Sequence, residues 1–330
     1  GENIFRKSFY FCMDNYCYFD KFFLGYIFKE NKYRTYKMEE TVMKLMNIVK
    51  SYGNKKVLDG ITLDIEEGKV TAILGESGSG KSTLLNIIAG KIKDFKGEII
   101  FEAENKNGMS YIFQEDTLIP WKTVYDNLEF VLKKKISKEE INLRIKKYLE
   151  MVGLNGIEGE YPNSLSGGMK RRVGIARALS LNPKILICDE ATSALDVSIQ
   201  DSIIKLLKKL QQEKDLSIVF VCHDLALVQS FSHEVVVMYL GNIMEILPGQ
   251  RVKKEAMHPY TKALVNAVFT LDMSSKDNLE LLEGEVPSPL NLPEGCPFVN
   301  RCRCAIEICR KEKPTLKEIN NEHKIACHLN

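Results

Sequence analysis

The densest chemistry in this 330-residue sequence lies in Gly75-Glu76-Ser77-Gly78-Ser79-Gly80-Lys81-Ser82, followed by Thr83. The spacing is that of G-x-x-x-x-G-K-[ST]. Glycines let consecutive backbone N–H groups turn inward and cradle phosphate oxygens at a helix N-terminus. Lys81 would bring a mobile positive charge to the outer phosphates of a nucleotide, and the Ser82 hydroxyl would ligate Mg²⁺. A second group is Ile185-Leu186-Ile187-Cys188-Asp189-Glu190, an apolar run ending in two carboxylates. Asp189 would hold Mg²⁺ through water, and Glu190 would polarise an attacking water as general base. Alone, the pair reads as two solvated acids at a strand end. Beside a phosphate loop it reads as the acidic half of a nucleotide-hydrolysing site.

These groups need elements to position them. The mostly apolar run Lys69–Leu74 suits a strand buried on both faces, and it feeds the loop. Ser82–Lys91 then reads as a helix. Met43–Tyr52 and Val57–Ile65 alternate like half-buried antiparallel strands. Further strand patterns lie at Glu98–Glu102, Met109–Gln114, Ile185–Asp189, Ser217–Cys222 and Glu234–Tyr239. Helical patterns fill Thr123–Lys134, Lys138–Val152, Gly167–Ser180, Ile199–Lys214, Leu225–Phe231 and His258–Phe269. Strands alternating with helices predict an α/β fold, with a mainly parallel sheet covered on both faces and an antiparallel portion early in the chain.

Composition narrows the class. Hydrophobic content of 45% and charged content of 27% are ordinary for a globular chain. A net charge of +2 makes no case for a nucleic-acid partner. No apolar run approaches the roughly 20 residues that span a bilayer. Residues 1–37 stand apart: Phe and Tyr supply 13 of the first 36 residues, with no helical or strand period. They read as sequence upstream of a native start near Met38, with a membrane-surface or partner-binding arm as the alternative. The nine cysteines are unevenly placed, with five in the last 35 residues, which points to a metal rather than to a chain-wide disulfide framework.

A third element, Leu165-Ser166-Gly167-Gly168-Met169, precedes a helical Lys-Arg-Arg stretch. With it the sequence resembles the ATP-binding cassette (ABC) family of P-loop ATPases, whose signature it matches apart from Met169 at the variable last position. The other family positions follow in order. Tyr52 matches the aromatic that stacks on adenine. Gln114 matches the glutamine that senses the γ-phosphate and Mg²⁺. Ser193-Ala194-Leu195-Asp196 matches the D-loop, and His223 matches the switch histidine. The resemblance covers roughly Met43 to Gly249, and implies a nucleotide-binding domain over 38–249 with a helical subdomain at about 115–182. It also implies a head-to-tail pair with a second ATPase subunit, identical or paralogous. In that pair Ser166, Gly167 and Gly168 of one subunit close on the ATP held by the phosphate loop of the other. Transmembrane permease subunits would be the transport partners, an extracytoplasmic substrate-binding protein an indirect one, and the location the cytoplasmic face of the cell membrane, peripherally.

Beyond residue 249, His258-Pro259-Tyr260-Thr261-Lys262-Ala263-Leu264, Pro287–Pro289 and Gly295-Cys296-Pro297-Phe298 resemble the C-terminal extension of oligopeptide, dipeptide and nickel importer ATPases. That implies a small irregular unit over 250–330, with a [4Fe-4S] cluster on Cys296, Cys302, Cys309 and Cys327. On residue types alone, four cysteines spaced x5, x6 and x17 suit an iron–sulfur cluster or zinc. They lack the C-x-x-C pairs of zinc ribbons. Cys304 falls where that group usually has an aromatic residue. The segment after Gln114, which includes Pro120 and Trp121, is similar instead to nitrate, sulfonate or taurine importer ATPases. Leu118 and Trp121 are candidates there for contact with a membrane subunit or for subdomain core. A non-transport cassette ATPase is the reading from another class. It is disfavoured by the lack of long coiled-coil insertions and of a second cassette.

Overall fold

The structure is a computed structural model that describes residues 33–36, 41–102, 108–114, 117–133, 135–190, 196–222, 224–269 and 292–330. The expectations for residues 1–32, for Ser193-Ala194-Leu195, for His223 and for Pro287–Pro289 lie outside these.

The phosphate loop joins strand β4 (Val70–Leu74) to helix α1 (Lys81–Ile88). All five residues of β4 are buried, as the continuous apolar run requires of a strand covered on both faces. It lies between β8 (Ser217–Val221) and β9 (Glu234–Tyr239), parallel to both. Next to β8 is β7 (Ile185–Asp189), then β6 (Met109–Ile112), again in parallel. On the other side, β10 (Asn242–Pro248), β12 (His323–Ile325) and β11 (Lys317–Asn320) continue the sheet in antiparallel fashion, to eight strands.

A smaller sheet contains β2 (Thr41–Tyr52) and β3 (Lys55–Glu66), paired antiparallel, with β5 (Lys96–Glu102) against β2 and β1 (Tyr33–Tyr36) outside β5. Helix α1 is sandwiched between the sheets. Its Leu84, Leu85 and Ile88 share one apolar cluster with Leu45, Ile48 and Leu63 of the small sheet and with Ile73, Val219 and Val236 of the large one. On the opposite face, a second cluster joins the large sheet to a helical layer. That layer contains α2 (Val124–Leu132), α3 (Lys138–Met151) and α4 (Gly167–Leu179). Their starts are fixed by side-chain caps: a reciprocal capping box at Thr123 and Asp126, and the hydroxyls of Ser137 and Ser166.

Strands β1, β10, β11 and β12 are absent from the sequence expectations, which find no strand period in residues 1–37. The four β11 residues are all exposed, so no alternation marks the strand. What holds this end is polar and buried. Glu245 on β10 has no exposed surface. It accepts hydrogen bonds from the Met257 and His258 backbone N–H groups (2.8 and 3.2 Å) and pairs with His323 Nε2 at 2.8 Å. Nearby, the rings of Tyr239, Tyr260 and Phe298 pack with centroids 4.7 to 5.3 Å apart.

Candidate active site

The loop conformation explains its glycines. Gly80 has φ of 102°, and a Cβ there would fall 2.8 Å from Leu58 and 2.9 Å from the Val57 carbonyl oxygen. Gly75 is as constrained: its Cβ would lie 2.2 Å from the Met238 carbonyl oxygen. The loop is thus pressed against both sheets. The Ser79 carbonyl accepts from Gly241 N–H, whose own carbonyl accepts from Asp59 N–H on β3 (both 2.9 Å).

Lys81 is buried, and its ammonium turns back on the loop. It donates to the Gly75 and Glu76 carbonyls (2.7 and 2.9 Å) and to Ser79 Oγ (3.4 Å). Burial lowers its pKa from the ordinary lysine value, while Glu190 and Asp189 act the other way. The ammonium is thus held among oxygens that an incoming phosphate can replace.

A cleft of about 450 Å³ opens before the loop. Ser77, Gly78, Gly80, Lys81, Ser82 and Thr83 of the loop line it together with Glu190 and Tyr52. Tyr52 is half exposed, with the Lys50 ammonium 4.6 Å from the ring centroid. Glu190 sits just past β7 with φ of 46°, a left-handed backbone that is costly for a glutamate and that is held by its N–H bond to the Val221 carbonyl (3.0 Å). Asp189 is the residue before it, at the end of β7. Burial raises the Asp189 pKa, and a hydrogen bond from Tyr111 Oη (2.7 Å) works against that rise. Over the Tyr111 and Phe113 rings lies the Lys91 ammonium, 4.2 and 4.1 Å from their centroids. Burial draws the pKa of Lys91 down to about 8, against the pull of Asp189. Neither Tyr111 nor Lys91 was marked by the sequence: both lie outside the motifs and meet Asp189 only across neighbouring elements.

Other expected residues are held apart from this cleft. Ser166 caps α4, its Oγ accepting from Met169 N–H at 3.3 Å; Ser166 and Gly167 are exposed, and none of Ser166, Gly167 and Gly168 lines the cleft. Gln114 is exposed and also outside the lining, and Arg171 binds its carbonyl (2.6 Å) and that of Phe113 (2.5 Å). Asp196 is exposed at the N-cap of α5 (Val197–Lys214). The sequence reading missed Lys55, Lys56, Val57, Leu240 and Leu292 as cleft residues. Leu118 belongs to the core of the helical layer, whereas Trp121 beside it is 52% exposed.

In the C-terminal segment, Cys296, Cys309 and Cys327 are buried, Cys302 is half-buried and Cys304 is exposed. Backbone bonds pin their loops: Cys296 N–H to the Cys309 carbonyl (2.8 Å), and Ala326 N–H to Met244 on β10 (2.9 Å). Burial pushes the Cys296 thiol up to about 11, with Cys309, Cys302 and Cys327 adding to the rise. Cys296 and Cys302 thus each lie within electrostatic reach of Cys309 and Cys327. Among the described residues, no group of three or more His, Cys, Asp or Glu is arranged as a metal site. Among these residues, too, no helix is long and apolar enough to cross a membrane.

Residues 58–193 match the family model for ABC transporters, and residues 244–309 match that for the oligopeptide/dipeptide transporter C-terminal region. The chain is 40% identical over 292 residues to the oligopeptide transport ATP-binding protein OppF of Escherichia coli (strain K12), covering 82% of this chain and 87% of that protein. It is 39% identical over 294 residues to the putative oligopeptide transport ATP-binding protein YkfD of Bacillus subtilis (strain 168), covering 83% and 89%. In structure it is similar to cbiO1 from Clostridium perfringens, part of the ABC transporter complex cbiONQ. That match has a TM-score of 0.61 and 31% identity, over 66% of this chain and 92% of the other. It is also similar to the ATP-binding cassette MJ0796 in a dimeric post-hydrolysis state bound to ADP and Pi, with a TM-score of 0.55 and 34% identity over 62% and 98%. A phosphate loop between two sheets, an acidic strand end beside it and a C-terminal segment of this kind have one family in common: the chain is an ATP-hydrolysing member of the ABC transporter ATPases, with the C-terminal region of oligopeptide/dipeptide transporters.

Proposed function

We propose that this chain is the ATPase subunit of a peptide importer, working as half of a head-to-tail ATPase pair beneath membrane-embedded permease subunits. The observation that carries the hydrolytic part is the meeting of Lys81, Ser82 and Glu190 on one cleft, with Asp189 the residue before Glu190 at the end of β7. In this reading Tyr52 stacks on adenine, and backbone N–H groups of the 75–83 loop take the phosphates. Lys81 exchanges loop carbonyls for phosphate oxygens. Ser82, Asp189 and Gln114 would hold Mg²⁺, which offsets phosphate charge when bound. Glu190 takes the proton of the attacking water, and His223 orients the γ-phosphate.

Ser166, Gly167, Gly168 and Asp196 would act on the ATP of the partner subunit. Ser166, Gly167 and Asp196 are exposed at helix starts, and none of the four lines this chain's own cleft, which favours that reading. Exposed Trp121 would face the permease, at the cytoplasmic face of the membrane. Peptides are favoured over nickel, nitrate or sulfonate by the matching C-terminal region and by the names of the relatives, several of them oligopeptide transport proteins. An assembled transporter in vesicles should take up labelled oligopeptide with ATP inside and stop with Glu190→Gln. Uptake unchanged by that substitution would reject the site, and nitrate uptake without peptide uptake would reject the substrate.

Residues 250–330 would form a C-terminal unit in which Cys296, Cys302, Cys309 and Cys327 hold a [4Fe-4S] cluster. The lack of C-x-x-C pairs and the resemblance of this segment to that of peptide and nickel importer ATPases favour a cluster over one zinc ion. Protein purified anaerobically should be brown and carry iron and sulfide. Zinc without iron would reverse the assignment.

A further inference from the structure

Glu76 is the one acid inside the phosphate loop, where the ligand expected is a polyanion. Its surroundings come almost wholly from distant sequence. Arg301 forks onto its carboxylate, with Nη1 to Oε2 at 2.6 Å and Nη2 to Oε1 at 3.1 Å. The Arg301 side chain is only 6% exposed. The Glu76 N–H donates to Tyr260 Oη at 3.0 Å, so it points away from the cleft. Its carbonyl accepts from Lys81 Nζ at 2.9 Å. Two of these three groups are therefore held by the segment beyond residue 249. The same segment reaches the cleft through Leu292, which lines it, and is tied to the small sheet by Lys313, which binds the carboxylate and carbonyl of Asp59 on β3 (both 2.9 Å).

We infer that Arg301 is a positioning residue of the ATP site, which holds the Glu76 carboxylate so that it does not compete with phosphate for Lys81. The Lys81 ammonium is already bound to the Glu76 carbonyl and lies in the electrostatic field of its carboxylate. Without Arg301, the nearest basic partner of that carboxylate within the loop is Lys81. An ion pair between them would remove the cation the phosphates need and add an anion beside them. A bidentate guanidinium fixes both carboxylate oxygens, which a single-point cation does not. The C-terminal segment is then part of the nucleotide site.

The inference rests on reading this loop as the ATP phosphate site, and the experiment separates the two. ATP binding by the full-length chain is measured at equilibrium, with Arg301→Gln made in the wild-type and in the Glu76→Gln background. Losing Arg301 should weaken binding about tenfold when Glu76 is charged and less than twofold when it is not. Arg301→Lys should recover part of the loss. Binding is measured well below the melting temperature of each variant, so that the affinity loss is read on folded protein in both backgrounds. An equal affinity loss in both backgrounds, or none in the wild type, overturns the inference. Lys81→Ala, which should abolish binding in every background, checks the site itself.

Discussion

The phosphate loop and the cysteine-bearing C-terminal segment both hold buried polar groups on tight turns, but they do so differently. The cation of the loop is held locally, with Lys81 bonded to carbonyls five and six residues away and Ser79 N–H to Glu76. The Glu76 carboxylate and N–H and the Ser79 carbonyl take partners from outside the loop. The C-terminal segment depends on the rest of the molecule. His323 reaches Glu245 across 78 residues, Arg301 reaches Glu76 across 225, and Lys313 reaches Asp59 across 254. A locally closed site can be read from a short motif and damaged without unfolding. A segment closed by remote partners can fail by losing its anchor, and can influence the site it is anchored to.

The largest effect expected on the loop side is chemical. Glu190→Gln should lower ATP turnover by about 10² to 10⁴ while the melting temperature stays near that of the wild type, because a half-buried acid at the cleft is replaced by an isostere. Turnover within tenfold of the wild type would mean that the base is elsewhere. On the C-terminal side the largest effect should be structural. Glu245→Ala strands His323 and two backbone N–H groups in a buried place, at about 3–5 kcal/mol. Its unfolding midpoint in denaturant should fall accordingly. If ATP turnover collapsed and stability did not, the contrast between the two regions would be wrong.

A pH measurement gives a further test. Burial pushes His258 down to about 4, and its Nδ1 accepts the Tyr260 N–H at 3.0 Å, which a protonated ring could not do. The unfolded chain binds this proton near 6.5, so stability falls as pH drops from about 6.5 towards 4 and levels off below. The full effect is of order 3 kcal/mol. Glu234, raised by burial to about 7, works in the opposite direction over part of that window. The effect is therefore read as the difference between wild type and His258→Gln, which should shrink as the pH is lowered. A pH-independent difference would remove His258 as its source.

The smallest effect expected is at Tyr111→Phe. Asp189 loses one hydrogen bond, worth about 1 kcal/mol. The Mg²⁺ concentration for half-maximal ATPase should move a few-fold, with little change in ATP affinity. No shift would leave Tyr111 as a packing residue.

The reaction class and the order of the motifs along the chain are legible without the fold. Gly75 to Thr83, the Asp189-Glu190 strand end and the Ser166-Gly167-Gly168 turn are contiguous, because each exploits a strand end or a helix start, and those are local structures. The apolar runs of β4, β7 and β8 were legible for the same reason: a strand buried on both faces has no polar alternation. The element boundaries shifted by one to three residues, as at Met109–Ile112, where the expected strand ran on to Gln114. The folded chain alone shows that Tyr111 and Lys91 meet Asp189, that Leu240 and Leu292 line the cleft, and that β11 and β12 extend the main sheet. It also shows that an arginine beside a cysteine 225 residues away grips the acid of the phosphate loop. Such pairings carry no sequence period, since they depend on where separate elements come to rest against one another.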